Sequence, residues 1–337
     1  MRYLITGHTG FKGAWLAAVL KAQGHELVGI SLPPLDRSLY KEAGVGKLFQ
    51  KEYFINIRNR EEFTKAIQNS DIDIAFHLAA QPLVRESYKF PIETFETNVI
   101  GTLNFLEGVR NSGLRAAVVI TTDKVYKNKN LLRGYSENDE LGGHDPYSSS
   151  KAAADIATQS WISSFGANNI SIARAGNVVG GGDWGIDRLM PDLVHSFTDG
   201  IPAKIRFPQA IRPWQHVLDC LSGYIRLSEQ MIGTGISGIW NFGPEIAIGN
   251  TVSKVADLAT GYWGSSAQWA EDPYLNPHEA GYLLLDSSKA RTELGWQDRL
   301  DFATTIEWAI NFYKAASEGK LSGDLLDSQV SAYLSLG

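Results

Sequence analysis

The sequence has very little cysteine: Cys220 is the only one among 337 residues. A lone cysteine cannot form an intramolecular disulfide, so a reducing compartment is expected, with Cys220 as a packed core residue. The sequence also lacks an apolar run long enough to cross a bilayer. It opens on a strand-like run, without the basic and apolar segments of a signal peptide. We therefore expect a soluble, cytoplasmic protein with no membrane partner.

An excess of positive charge is absent as well. The formal net charge of -6 and the pI of about 5.7 argue against a general nucleic-acid binder, although they leave room for a local basic pocket that takes a small anion. Internal repeats and low-complexity tracts are also lacking. The remaining composition, 44% hydrophobic and 20% charged, is that of a globular protein with one large or two smaller domains.

A glycine-rich turn stands near the start of the chain. The β-prone run 2–6 leads into Gly7, Gly10 and Gly13, and a helical composition follows over 14–20. A strand, a glycine turn and a helix are the context that a phosphate-binding loop requires, because the glycines let the backbone approach a pyrophosphate at a helix N-terminus. The alternative is a glycine turn that binds no ligand.

Strands and helices then alternate. The sequence predicts strands over 26–31, 53–55, 72–78 and 116–120, and a helix over 60–69. Repeated strand–helix units favour a doubly wound parallel sheet with helices on both faces. Where a NAD-selective site usually has an acidic residue after the second strand, this chain has Ser31. Arg37 is expected to be a solvated loop charge, so the choice between NAD and NADP stays open here.

A long helix is predicted to begin at Pro91. Its apolar positions Phe95, Val99, Leu103 and Leu106 keep a helical period. Asn98 lies off this stripe, and it is either exposed helix surface or the donor of a hydrogen bond to a cofactor or to the sheet.

Tyr147 and Lys151 stand one helical turn apart if Pro146 opens a helix. An ammonium near a phenol favours the phenolate, so the spacing predicts a lowered tyrosine pKa and a base for a sugar or alcohol hydroxyl. The alternative is a solvated helix turn. The strand over 116–120 delivers Thr122, Asp123 and Lys124 at its carboxyl end, where open α/β sheets place their sites.

These motifs, in this order, resemble the extended short-chain dehydrogenase/reductase family, in its branch of NAD-dependent nucleotide-sugar epimerases and dehydratases. The resemblance runs to about Trp296 and is carried further by residues 174–184, 187–192, 212–219, 240–244, 278–280 and 285–290. It implies an α/β fold: a Rossmann-like doubly wound parallel sheet with a smaller, interleaved C-terminal substrate-binding domain. The NAD-binding part would comprise residues 1–176 and about 213–243, and the nucleotide-sugar part about 177–212 and 244–337.

Within this branch, the sequence Thr122-Asp123-Lys124 is similar to members that act on CDP-glucose. The resemblance implies that Tyr147, with Lys151 and Thr122, takes the proton of the sugar 4-hydroxyl, and that Asp123 protonates the departing 6-hydroxyl. Lys124 would remove the C5 proton as a free amine, stabilise the enolate as a cation, or only form a salt bridge with Asp123. The alternatives are another nucleotide-sugar 4,6-dehydratase, a 4-epimerase or a non-catalytic dinucleotide sensor.

The resemblance also implies the ligands of each site, with no metal, and a homodimer or tetramer built through the helices that begin near Pro91 and Pro146. The expected cofactor residues are Gly7, Thr9, Gly10, Phe11, Lys12, Gly13, Asn56, Ile57, Leu78, Ala79, Ala80, Asn98, Thr121, Tyr147, Lys151 and Arg174. The expected substrate residues are Gln81, Asn177, Arg188, Arg212 and His278.

Two residues of the glycine turn depart from the broader family, which often has small or apolar side chains there. We expect His8 and Lys12 to alter the pyrophosphate contact and to let NAD exchange more freely. Trp184, in a glycine-rich stretch, is expected in a mobile cover over the sugar, and residues 320–337 are expected to form a short terminal helix or to be partly ordered.

Overall fold

A computed structural model describes residues 1–245, 249–272 and 281–336. Its strands are Arg2–Thr6 (β1), Glu26–Ser31 (β2), Lys51–Phe54 (β3), Ile74–His77 (β4), Ala116–Thr122 (β5), Ile170–Ala175 (β6), Val178–Val179 (β7), Ala203–Ile205 (β8), Gln215–His216 (β9), Gly238–Phe242 (β10) and Trp269–Glu271 (β11). Its helices are Phe11–Ala22 (α1), Leu39–Glu42 (α2), Arg60–Gln68 (α3), Val84–Lys89 (α4), Pro91–Phe95 (α5), Gly101–Arg110 (α6), Pro146–Phe165 (α7), Leu189–Thr198 (α8), Val217–Thr234 (α9), Val252–Trp263 (α10), Ser288–Leu294 (α11), Phe302–Ser317 (α12) and Ser322–Leu334 (α13).

The main sheet is parallel throughout and has the order β10-β6-β5-β4-β1-β2-β3. The strand order reverses between β1 and β4, and in open α/β sheets this is where ligands bind, beyond the carboxyl ends of the strands. The predicted Rossmann-like sheet is therefore confirmed. Two smaller parallel pairs, β7 with β9 and β8 with β11, lie outside it.

The predicted element limits differ from the observed ones by a few residues. The third strand spans Lys51–Phe54 instead of 53–55, and the fourth is shorter than predicted, Ile74–His77. The fifth strand continues to Thr122, so both threonines extend from the sheet itself. Strand ends depend on which backbone groups find a partner in the neighbouring strand, and sequence propensity does not contain that information.

The predicted helix from Pro91 is interrupted. A π-helical turn over Glu96–Ile100 joins α5 to α6, so the predicted unbroken apolar stripe is wrong. Each extra residue in a π turn shifts the phase of the side chains that follow it. Phe95, just before the π turn, is 38% exposed, whereas Asn98 within it is buried.

Apolar side chains cover both faces of the sheet. On one face, α1, α9, α11 and α13 pack around Trp15 and Trp240, with Cys220 buried among them as predicted. On the other face, α3 and α6 pack around Phe63 and Phe105. A separate cluster joins α8, α10 and α12 beside β8, so these elements have a core of their own.

The C-terminal segment is an ordered helix. Leu326, Val330 and Tyr333 of α13 lie in the same core as α1, so part of the expected substrate-binding range 244–337 packs on the sheet instead. The Tyr333 hydroxyl donates to a carboxylate oxygen of the buried Asp219 (2.7 Å), which also accepts from the backbone N–H of Arg299 (2.8 Å). Burial raises the pKa of Asp219 to about 6 although these donors lower it.

We expect Tyr333→Phe to destabilise the protein by about 1–3 kcal/mol, because a buried carboxylate loses a donor. The difference in the free energy of unfolding should be larger near pH 8, where Asp219 is ionised, than near pH 5, where it is largely protonated. Urea unfolding at both pH values measures it. Tyr262→Phe is the matched control, since Tyr262 of α10 is only half-buried. Equal stability of the two variants at pH 8 would contradict the expectation.

Candidate active site

A cleft of about 1440 Å³ lies beyond the carboxyl ends of the central strands. Its walls come from the glycine-rich turn, the ends of β4 and β5, the first turns of α7 and α8, and the loop over 176–188. A nucleotide and a dinucleotide can both be accommodated in a cleft of this size, at the position where the fold places ligands. None of the helices in the described part of the chain combines the length and the apolar character that a bilayer crossing needs.

The glycine-rich turn forms one end of the cleft. Gly7 has φ 74°, and a Cβ there would lie 2.8 Å from the backbone nitrogen of Ala79. Gly13 closes the turn, since a Cβ on it would collide with the Gly7 carbonyl. Gly10 caps α1, whose first turn holds only uncharged and basic side chains, and such a helix end attracts an anion. The turn therefore fits a pyrophosphate.

His8 does not contact the cleft, contrary to the sequence prediction. Its ring is buried beneath Gly29 of β2, where the missing side chain leaves room, and Nε2 lies 2.9 Å from Glu52 of β3. Burial lowers the pKa of His8. A neutral imidazole on the far side of the turn has no means of touching a pyrophosphate, so this prediction is wrong.

Lys12 does line the cleft. Its Nζ lies 3.5 Å from the Tyr224 hydroxyl, and its charge lowers the pKa of both Asp123 and Lys151. An oxidised nicotinamide ring is itself cationic, so a second ammonium near its expected position weakens its binding. The expected free exchange of NAD rests on Lys12 alone and stays a prediction.

Thr122 and Asp123 follow one another where β5 ends. The Thr122 hydroxyl donates to Oδ1 of Asp123 (2.9 Å). Asp123 is 1% exposed, and burial raises its pKa against the charges of Lys124 and Arg212. In the described part of the chain its Oδ2 has no hydrogen-bond partner. A carboxyl group that holds its proton in a cleft can serve as a general acid.

Lys124 lines the cleft next to Asp123. Among the residues that the structure describes, no ion pair joins the two side chains, which removes the salt-bridge alternative for the ground state of the free protein. The lysine is thus available to a ligand, as an amine or as a cation.

Tyr147 and Lys151 lie on the first turns of α7, which Asp145 caps through a hydrogen bond from the Ser148 backbone N–H (2.9 Å). Pro146 takes the first helical position, which suits its fixed φ. Both side chains reach the cleft, one turn apart, as the spacing predicts. The site therefore brings together Tyr147, Lys151, Thr122, Asp123 and Lys124.

The predicted lowering of the Tyr147 pKa is wrong for the protein without cofactor. Burial raises that pKa to about 12, although a hydrogen bond with Thr122 and the charge of Arg188 lower it. The Lys151 ammonium instead donates to the Ile120 carbonyl (2.8 Å), and burial lowers the Lys151 pKa to about 8. The phenol is thus a proton donor or a hydrogen-bonded hydroxyl until further positive charge enters the cleft.

The arrangement places the phenol of Tyr147 and the ammonium of Lys151 in one cleft with a buried carboxyl whose pKa is raised, Asp123, and with a second lysine, Lys124. A family model described as GDP-mannose 4,6 dehydratase matches residues 4–308, nearly the whole chain. The chain belongs to the GDP-mannose 4,6 dehydratase family. The catalytic motifs and the described part of the cleft lie within the matched range.

Relatives in this family differ in substrate and reaction. A CDP-glucose 4,6-dehydratase of Salmonella typhimurium is 41% identical over 99% of this chain and 96% of its own. A UDP-glucose 4-epimerase of Halalkalibacterium halodurans is 25% identical over 95% of this chain and 97% of its own. The chain thus spans nearly the full length of a dehydratase and of an epimerase. The length of the match therefore does not distinguish the two reactions, and the residues of the site have to do so.

Solved structures show the same fold. A UDP-glucose-4-epimerase from Stenotrophomonas maltophila with bound NAD and formylated UDP-arabinopyranose has a TM-score of 0.83 at 22% identity, covering 95% of this chain and 100% of that chain. A dTDP-glucose 4,6-dehydratase from Bacillus anthracis in complex with NAD has a TM-score of 0.79 at 20% identity, covering 97% and 99%. The two structures thus share the architecture of this chain.

Three predicted ligand residues do not line the cleft of this family member. Arg174 is fully buried and forms two hydrogen bonds with Asp155 of α7 (2.8 and 2.7 Å), because a buried guanidinium needs a carboxylate. Asn98 is not exposed helix surface. Its side chain accepts from the Gln81 backbone N–H (2.8 Å) and donates to the Ser150 hydroxyl (2.8 Å), so it connects the segment after β4 to α7. The Gln81 side chain turns back to Leu83 and Thr94.

The other predicted residues within the described ranges reach the cleft. On the cofactor side these are Thr9, Phe11, Asn56, Ile57, Leu78, Ala79, Ala80 and Thr121, beside the glycines. On the substrate side they are Asn177, Arg188 and Arg212. His278 lies outside the described residues.

Several charged residues of the cleft were missed. Arg85 of α4, Asp187 in the 176–188 loop and Arg206 after β8 all line it. Arg37 also lines the cleft and is exposed, as expected of a solvated loop charge, while its guanidinium stacks on the Trp184 ring (3.4 Å from the guanidinium carbon to the ring centroid) and pairs with Glu42 (3.8 Å). Nothing in the sequence distinguishes these side chains from ordinary surface charges, because their partners come from distant segments.

Proposed function

We propose that the protein converts CDP-D-glucose to CDP-4-dehydro-6-deoxy-D-glucose and water, with NAD as its cofactor. The observation that carries the proposal is the buried carboxyl of Asp123 next to the Thr122 hydroxyl, because burial raises its pKa and so favours the protonated form that a departing hydroxyl needs. An epimerase needs the phenol and lysine pair but no acid for water loss. The 41% identity with the Salmonella typhimurium enzyme supports the choice of CDP-glucose.

NAD, when bound, supplies the hydride acceptor for C4 and the hydride donor for C6. Tyr147 takes the proton of the sugar 4-hydroxyl, and Lys151 stabilises the phenolate that this requires. Asp123 then gives its proton to the 6-hydroxyl, which leaves as water once the C5 proton has been removed. The sum is loss of one water with no net oxidation. The glycine turn, with Asn56 and Ile57, would hold the dinucleotide.

Lys124 has two remaining roles in this scheme. As an amine it removes the C5 proton, and as an ammonium it stabilises the negative charge that develops on the C4 oxygen. Both place it at the elimination step, between the oxidation at C4 and the return of hydride to C6. In deuterated solvent, a C5 deuterium in the product would show that this proton exchanges during the reaction.

The experiment is incubation of the protein and NAD with CDP-glucose, UDP-glucose or dTDP-glucose, followed by product mass. We expect loss of one water from CDP-glucose alone, without accumulation of NADH. An unchanged mass with an altered sugar configuration would replace this proposal with a 4-epimerase. No reaction of any of the three would leave only a dinucleotide-binding role.

Two further proposals concern assembly and location. Large apolar side chains are exposed on α4, α5, the π-helical turn and α7, namely Tyr88, Phe90, Ile92, Phe95, Ile100, Ile156 and Phe165. We propose that a second copy covers them to form a homodimer, which light scattering in solution would test. The free, buried thiol of Cys220 supports a cytoplasmic location.

We propose that the cofactor and the nucleotide sugar are held by the residue ranges expected from the sequence, with one change. Residues 1–176 and about 213–243 would hold NAD, and about 177–212 with part of 244–337 would hold the nucleotide sugar. The helix α13 belongs with the first group, because its apolar side chains lie in the core around α1.

A further inference from the structure

One carboxylate stands between two arginines at the mouth of the cleft. Oδ1 of Asp187 lies 3.1 Å from a guanidinium nitrogen of Arg85 and 3.7 Å from one of Arg206. Arg85 belongs to α4 on the sheet side, and Arg206 follows β8 on the opposite side. The carboxylate therefore links the two walls of the cleft, and all three side chains line it.

The backbone at Asp187 is in the left-handed region, with φ 59°. Residues other than glycine rarely adopt it, and aspartate and asparagine tolerate it best. Asp187 adopts this conformation while its carboxylate forms both ion pairs. Loss of these ion pairs to a competing anion would free the side chain.

The rest of the segment is tied to the walls as well. The Trp184 indole donates to Glu42 of α2 (3.1 Å) and carries the Arg37 guanidinium on its ring. Arg188 pairs with Asp183 (2.7 Å), and its charge acts on Tyr147. The segment 183–188 thus lines the cleft together with Tyr147. Asp187 connects this segment to Arg85 and to Arg206.

A fourth charge belongs to the same group. Asp192, on the first turns of α8, has a pKa raised to about 6 by burial and by the charge of Asp187, whereas Arg206 and Arg85 lower it. Two arginines therefore face two carboxyl groups in the ligand-free protein. A diphosphate that enters this region would bring negative charge to the two arginines. It would thus replace the carboxylate of Asp187 as their partner.

We propose that Asp187 is an internal counter-anion that occupies a phosphate subsite formed by Arg85 and Arg206, and that a phosphate group of the bound ligand displaces it. The identity of that ligand rests on the proposed function. The phosphate belongs either to the diphosphate of the nucleotide sugar or to the pyrophosphate of the dinucleotide. In both cases binding of that ligand and release of the 183–188 segment are one event.

The test is calorimetric binding to Asp187→Asn, which keeps the backbone preference and removes the charge. Inorganic pyrophosphate should bind about 3- to 10-fold more tightly than to the unchanged protein, since a competing surface ion pair has been removed. A matching gain for CDP assigns the subsite to the substrate, and one for ADP-ribose assigns it to the cofactor. Arg85→Gln and Arg206→Gln should each weaken the same ligand and reduce the gain.

Asp71→Asn is the matched control. Asp71 also has a left-handed φ of 45° and pairs with an arginine, Arg2 (3.2 Å), but it lies at the amino ends of the strands. The proposal would be overturned if Asp187→Asn bound pyrophosphate no more tightly than the unchanged protein does. That result would mean that the ion pairs of Asp187 persist when the ligand is bound. Absence of CDP-glucose turnover would overturn the proposed function instead, and the pyrophosphate measurement would still decide this inference.

Discussion

Asp123→Asn should slow product formation from CDP-glucose about 100- to 10,000-fold while leaving oxidation at C4 in place. The amide cannot give a proton to the departing 6-hydroxyl, whereas Tyr147 and Lys151 are unchanged. Reduced cofactor should therefore accumulate in the variant, which absorbance measures directly. In the unchanged protein, the elimination should fall as pH rises through the raised pKa of Asp123, because its protonated form is the one that acts.

Asp139→Asn is the control for this substitution. Its carboxylate forms an ion pair with Arg133 (2.6 Å) that holds its pKa well below the usual range, so it carries a charge and not a proton. We expect Asp139→Asn to keep the rate of the unchanged protein. Product formation at a normal rate in Asp123→Asn would show that another group supplies the proton.

Tyr147→Phe should reduce the rate about 1,000-fold or more, because the proton of the 4-hydroxyl loses its acceptor. The difference in tyrosinate absorbance between the unchanged protein and the variant reports the ionisation of this phenol alone. Without cofactor we expect none below about pH 11, since the pKa of Tyr147 is raised to about 12.

Addition of NAD should move this ionisation to lower pH, because the oxidised ring brings positive charge to a phenol already close to Lys151. The rate should therefore rise with pH until the phenolate of the complex has formed. A tyrosinate that appears near neutral pH without cofactor would contradict the burial argument. Tyr262→Phe is the control for the loss of a phenol that does not line the cleft.

The parts of the site that one short segment defines could be predicted from the sequence. Gly7, Gly10 and Gly13 are needed by a single turn, and Tyr147 and Lys151 share one helix, so their spacing fixes their geometry. The order of strands and helices likewise fixed the sheet, because alternating units have few topologies open to them.

Features that depend on distant partners could not be predicted. Arg174 is a residue type that often binds phosphate, yet its partner here is Asp155, which reaches it only after α7 has packed against β6. No pattern of residues distinguishes the π-helical turn before α6 from the helix around it, so the sequence could not place Asn98 in the interior. The pKa of Tyr147 follows from the depth of the cleft, which the residues between it and Lys151 do not reveal.

The packing of α13 against α1 has a consequence for the synthesis of the chain. The helix α13 supplies Leu326, Val330 and Tyr333 to a core that also contains Ala14 to Leu20 of α1, which leave the ribosome long before it. The apolar face of α1 therefore lacks part of its cover until α13 has been synthesised, and an exposed apolar face makes a nascent chain prone to aggregate. Emergence of α13, rather than formation of the sheet, is thus the step that completes this core.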